Sequence, residues 1–236
     1  MTKVWGYWAT LGWALLAFAA GQLAALAVIV VWWGGPLSSL LDTPYDGRFI
    51  TLSLFISTPI TIAALALAVW LARERFAEYM ALSWPPTRDV ATGLLLLIGL
   101  IAVGDALLYL SGRPLVTQFQ AESYTTAAAE GWLVPMFAAA ILVAPAVEEL
   151  IFRGFLFRGW ARSSRSTWPA IVVISLLWAA LHVQYDWTGI LQIFVIGLFL
   201  GAVRWRSGST LLTFGLHALF NLEATLETAL QLRFFS

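Results

Sequence analysis

Ala144-Pro145-Ala146-Val147-Glu148-Glu149-Leu150-Ile151-Phe152-Arg153-Gly154 decides how this chain is read. Two adjacent glutamates close an apolar run that begins at Trp132, and an arginine follows at a fixed interval. On a helix, Glu149 and Arg153 are four residues apart on one face, with the acid N-terminal to the base, the better order for a helical ion pair. Glu148 sits about 100° further round and points elsewhere. One carboxylate therefore has a partner supplied by local geometry, and the other has none. Ionisable groups at membrane depth are expensive and mark functional sites. The alternative for the pair alone is a solvated ion pair at the interfacial end of a membrane helix.

The surrounding composition is that of a membrane protein. Of 236 residues 61% are hydrophobic and only 11% charged, against roughly 25% charged in soluble domains. Net charge is zero, so no basic field argues for nucleic acid. The absence of cysteine excludes disulfides, thiolate metal sites and a cysteine nucleophile. Thirteen tryptophans suit a protein with two membrane interfaces. No composition break divides the chain, so residues 1–236 are read as one integral membrane domain. Its first apolar stretch runs too long for a signal peptide and is read as a first span.

Candidate spans are Trp8–Trp33, Phe49–Ala72, Val90–Leu110, Trp132–Glu149, Trp168–Val183, Gly189–Val203 and Thr210–Leu226. The expected fold is an all-α bundle of about seven (7–8) transmembrane helices around a polar cavity. The last four candidates are shorter than the roughly 20 residues of a straight span, as expected of helices whose ends are polar because they line a cavity. With Lys3 cytoplasmic, Arg73, Arg75, Arg88, Arg153, Arg158, Arg162, Arg165, Arg204 and Arg206 fall on its side and only Arg48, Arg113 and Arg233 outside. This positive-inside bias predicts a cytoplasmic N-terminus in the cell membrane. Residues Arg73 to Met80 are expected to form a short interfacial helix, and Pro59 and Pro135 to kink their spans. Asp105 is read as packed near a polar group or an aqueous rim, and Glu223 with Glu227 as a solvated helix end.

Both histidines of the protein lie in these spans. His182 ends the fifth apolar run, four residues after Trp178, and His217 shares a helix face with Asn221. Taken singly, such histidines are usually helix-to-helix hydrogen-bonding groups. Buried polar groups in lipid need partners, and these are obvious partners for one another. Two chemistries fit. In one, Glu148 is a general base towards water, a histidine holds that water, and His217 with Asn221 donate to the oxyanion of a tetrahedral intermediate. In the other, Glu148, His182 and His217 ligate zinc, whose bound water attacks. No His-Glu-x-x-His signature and no histidine pair four apart occurs, which favours a site without metal or other cofactor. No Gly-x-Ser-x-Gly elbow appears either.

Glu148-Glu149-x-x-x-Arg153, then Trp178-x-x-x-His182, then His217-x-x-x-Asn221 resembles the three-motif pattern of the CAAX-protease and bacteriocin-processing (CPBP, or ABI) family of intramembrane endopeptidases. Phe194-x-x-Gly197-x-x-x-Gly201-x-x-Arg204 also resembles that family. The motif-bearing region is residues 131–223, and the first three spans are similar only in being hydrophobic. The resemblance implies that Glu148 activates the hydrolytic water with help from His182, that Glu149 and Arg153 are the supporting pair, and that His217 and Asn221 stabilise the oxyanion. Trp178 stands where the family usually has phenylalanine. The family has been called both metalloprotease and glutamate-type protease.

One depth conflict follows from these spans. Glu148 lies about 24 Å in from Trp132 and His182 about 21 Å in from Trp168. On antiparallel helices those depths do not coincide in a core about 30 Å thick. Either the fourth helix continues to about Ala161, or the fifth starts inside the cytoplasmic interface; the long helix is preferred. The expected function is hydrolysis of a peptide bond in a membrane-associated or lipidated protein. Alternatives are a proton-coupled transporter and a non-catalytic scaffold or immunity factor. A prenylated CAAX protein is the best-known substrate type of the family, yet no residue here reads a prenyl group.

Overall fold

The computed structural model describes residues 4–35, 42 and 44–234. Lys3, the first residue of the charge count, lies outside them. Among the described residues all regular structure is helical. The helices are α1 Tyr7–Trp33, α2 Gly47–Leu71, α3 Phe76–Tyr79, α4 Thr87–Leu110, α5 Gln118–Ala129, α6 Leu133–Trp160, α7 Ser164–Ala180, α8 Trp187–Ser207 and α9 Thr210–Phe234. Five of them (α1, α2, α4, α6 and α8) are long and apolar enough to cross a membrane. Their outer faces carry large exposed side chains such as Leu23, Leu95, Ile98 and Leu107, which only a lipid surroundings accommodates. The protein is an integral membrane protein.

α6 resolves the depth conflict. It runs 28 residues without a break, and Glu148 stands in its middle. The interior of α6 is not regular: Ala139–Val143 and Leu150–Leu156 are wound as π-helix. Such wide turns recur at functional sites. In the first of them Ala144 N–H donates to Ala139 C=O, five residues back. The next donor in that register would be residue 145, which is proline and has no N–H. The Ala140 carbonyl is thus left open, and Asn221 Nδ2 of α9 donates to it at 2.8 Å. In the second wide turn the Arg153 carbonyl accepts from Arg204 Nε of α8 at 2.9 Å.

Several expectations shift. Pro135 falls in the first turn of α6, where its missing N–H would have had no partner, so it need not kink the span. The interfacial helix is only Phe76–Tyr79, with Tyr79 and Met80 buried. α5, opened by a reciprocal Thr117–Gln120 capping box, lies in a stretch left unassigned between spans. Arg153 and Arg204 are buried rather than in loops, Arg153 committed to the Glu149 carboxylate and the Gly197 carbonyl, Arg204 to the Arg153 carbonyl and the Thr210 hydroxyl. Glu223 and Glu227 are half-buried rather than solvated, because α9 continues to Phe234.

The N-terminal hairpin α1–α2 closes through small side chains. Ala14, Ala17, Gly21 and Ala25 are buried along one stripe of α1, which lets two membrane helices approach closely. At Gly21 a Cβ would collide with Thr61 Oγ1 and stand 2.7 Å from the Ser57 carbonyl. The carbonyl cannot swing aside, so the helices must part. Gly21→Ala is therefore expected to destabilise the protein by about 1–3 kcal/mol, read as a lowered melting temperature in mild detergent.

Candidate active site

The site is assembled around the indole of Trp178, 2% exposed, from α7. Its Nε1–H donates to Glu148 Oε2 at 2.6 Å. The Arg153 guanidinium lies over its ring at 4.5 Å. Both imidazoles meet it edge-on, His182 at 5.3 Å and His217 at 5.2 Å between centroids. α8 must pass close for this: a Cβ on Gly197 would stand 2.9 Å from Ser175 Cβ and 3.1 Å from the Trp178 ring. The absence of that Cβ also leaves the Gly197 carbonyl to accept from Arg153 Nη2 at 3.2 Å.

The two glutamates separate as their angular positions predict. Glu149 is buried and accepts from Arg153 Nη1 at 2.8 Å. His217 Nδ1 lies 3.0 Å from the same oxygen. A carboxylate only accepts, so Nδ1 carries the proton and Nε2 faces away. Nε2 lies 3.9 Å from Glu148 Oε2. Glu148 keeps a quarter of its side chain exposed and lines a cavity of about 170 Å³ shared with His182, Trp178, Gln184 and residues of α1 and α2. That space is large enough for several waters.

His182 stands just past the end of α7. Its Nδ1 is 2.9 Å from the Trp178 carbonyl, so Nδ1 is the donor and Nε2 keeps an acceptor lone pair. Tyr185 stacks on the His182 ring, 6.2 Å between centroids. Burial, and after it the Glu148 charge, push the Tyr185 phenol above its ordinary range, so it stays a neutral donor. Next to it Asp186 caps α8; hydrogen bonds from Thr188 foremost, then Gly189 and Arg113, hold its carboxyl down at about 2.

The structure thus gathers Glu148, Glu149, Arg153, His182 and His217 around Trp178. Neither His217 nor Asn221 lines the cavity: one backs the glutamates, the other serves the Ala140 carbonyl. Among the described residues no three His, Cys, Asp or Glu side chains are placed to hold a metal ion. Glu148, His182 and His217, the conditional zinc set, do not converge as three ligands in this arrangement. Sequence reasoning missed the indole N–H of Trp178 as a donor to Glu148; its replacement of phenylalanine was the available signal. It also missed Tyr185, three residues past His182, and the α1–α2 wall of the cavity.

Residues 130–222 match the type II CAAX prenyl endopeptidases, Rce1-like. This bears out the resemblance seen in the motifs, all three of which fall inside the Rce1-like region. A similar protein, an "uncharacterized 24.3 kDa protein" of Escherichia coli, is 31% identical over 135 residues, 55% of this chain and 59% of that protein. The chain thus spans less than two thirds of that relative's length. No solved structure gives a significant match. α1 and the part of α2 that lines the cavity lie outside the Rce1-like region.

The ion pair and the exposed carboxylate should respond oppositely to neutralisation. Glu149→Gln leaves a buried guanidinium without its counter-charge and is expected to cost about 3–5 kcal/mol, seen as loss of a folded species on size-exclusion chromatography. Glu148→Gln, at a cavity wall, is expected to keep the wild-type elution and melting curve.

Proposed function

We propose that the chain is an intramembrane endopeptidase that hydrolyses a peptide bond of a membrane-associated or lipidated protein, with Glu148 activating the attacking water. The observation that carries this reading is a carboxylate facing a water-sized cavity inside a membrane bundle, one oxygen fixed by an indole N–H and the other open. Two further spans, α7 and α9, complete a bundle of seven, and the basic loops favour a cytoplasmic N-terminus in the cell membrane. The Rce1-like match supports the reaction class.

Water in the cavity gives a proton to Glu148 Oε1 and a hydrogen bond to His182 Nε2. Its oxygen attacks the carbonyl carbon, and the carbonyl oxygen takes the negative charge. The proton held by Glu148 then passes to the amide nitrogen, the C–N bond breaks, and acid and amine leave. Trp178 holds Glu148 in one rotamer throughout. To donate to the oxyanion, His217 must carry protons on both nitrogens, Nδ1–H towards Glu149 and Nε2–H towards the reaction. Two carboxylates, Arg153 and such an imidazolium sum to zero charge. Asn221 retains a second amide proton for the same oxyanion.

The test is cleavage of fluorogenic lipidated and transmembrane peptides by the purified protein in liposomes, with and without a zinc chelator. Glu148→Ala is expected to lower the rate about 10²–10⁴-fold, and chelation to change nothing. Activity lost on chelation and restored by zinc would overturn the metal-free mechanism. A folded wild type that cleaves no substrate would favour a scaffold.

Trp178→Phe keeps the ring and removes the donor. A hydrogen bond to a charged group is worth about 1.5–3 kcal/mol. A fall in kcat of about tenfold or more is expected, with KM nearly unchanged, measured on the same substrates.

A further inference from the structure

The wall of the cavity opposite Glu148 is built from α1 and α2 by Phe18, Gln22, Leu54, Ser57 and Thr61. Gln22 is singular among them. α1 is strongly apolar, and beyond Tyr7 at its first position its only hydroxyl or amide side chains are Thr10 and Gln22. Thr10 is satisfied, its hydroxyl donating to the Trp5 carbonyl at 3.2 Å. The Gln22 carboxamide is half-buried near the middle of the helix and has no partner among the described residues. A carboxamide on a cavity wall takes its hydrogen bonds from whatever occupies the cavity, water or a ligand.

Its position is also fixed. Gly21, the preceding residue, sits against the Ser57 carbonyl and Thr61 with no room for a Cβ. Thr61 Oγ1 donates to the Ala17 carbonyl at 3.3 Å. α1 is therefore pinned to α2 at this level, and the residue after the contact, Gln22, lines the cavity that Glu148 also lines.

We propose that Gln22 is a substrate-binding residue that pairs with the backbone amide of an extended peptide lying between α1–α2 and Glu148. The proposal rests on the endopeptidase reading. A carboxamide offers one acceptor oxygen and an NH₂ donor, the complement of a peptide group's N–H and C=O. Pairing through the backbone tolerates any side chain, and Phe18 and Leu54 on one side with Val147, Ile151 and Phe152 on the other give the cavity apolar stretches of wall beside its polar groups. The class of substrate selected is an apolar segment that enters unfolded, its peptide groups unpaired. A segment still helical offers no free N–H at this level.

The experiment uses the full chain in liposomes and an apolar transmembrane peptide, followed by both binding and cleavage. Gln22→Met keeps length and removes both polar atoms; Gln22→Leu is the second variant if the first fails to fold. Expected is a KM raised about tenfold with kcat within threefold, the signature of lost uniform binding. Binding of uncleaved peptide to Glu148→Gln protein should weaken by the same factor when Gln22→Met is added. Replacing peptide amides one at a time by esters removes single N–H donors. At one position near the scissile bond the ester should weaken binding to Gln22-containing protein and leave the Gln22→Met protein indifferent. Unchanged KM in a folded Gln22→Met protein, or equal ester losses in both proteins at every position, overturns the assignment. If the peptide binds with this ester pattern but is never cut, the endopeptidase reading fails and the Gln22 contact stands. If it neither binds nor is cut, both fall.

Discussion

A guanidinium without access to water must have its charge answered by the protein, and Arg153 imposes that demand on its surroundings. Glu149 answers the charge, the Gly197 carbonyl takes one donor, and the face of Trp178 receives the plane of the cation. Each of these partners then fixes something else. Glu149 aligns His217, Gly197 sets the approach of α8, and Trp178 reaches Glu148 with its indole N–H. Buried ion pairs are poor sources of net stability. Their use here is orientation: one cation connects α6, α7, α8 and α9 into a single arrangement.

Within that arrangement the division of labour between neighbouring glutamates is geometric. A step of one residue on a helix separates the two carboxylates by about 100°. One is held among partners in the protein interior, and the other meets a cavity. Nothing about glutamate chemistry distinguishes them. The distinction comes from what surrounds each, an arginine one turn along α6 and a histidine from α9 for Glu149, and an indole from α7 with open space for Glu148.

Much of this was legible in the sequence because it is local. The Glu149–Arg153 pair, the shared face of His217 and Asn221, and the continuation of α6 past Arg153 follow from helical period and rise alone. What was not legible depends on partners distant along the chain. The hydrogen bond from Trp178 to Glu148 joins residues 30 apart, and an indole reads equally as an aromatic wall until its N–H is located. Asn221 shows the same limit. Its four-residue spacing from His217 gave no sign that one of its amide protons goes to a carbonyl that Pro145 leaves open on another helix. The cavity wall from α1 and α2 was invisible because a lone glutamine in an apolar helix carries no motif. α5 escaped because its polar composition is that of a loop until the Thr117–Gln120 box is recognised.

The spacing of the buried pair bears on how α6 enters a membrane. A carboxylate and a guanidinium on different helices would each have to cross the bilayer alone and wait for the other to arrive. With the pair one helical turn apart on α6, the segment carries its own counter-ion and presents a dipole to the lipid instead of two bare charges. The most expensive side chains of the site are thereby paired from the moment the helix forms. α9 contributes the last two site residues to a segment that is already electrically neutral at its centre but for Glu148, and that single carboxylate is the one charge whose neighbours are set only at the final stage of assembly.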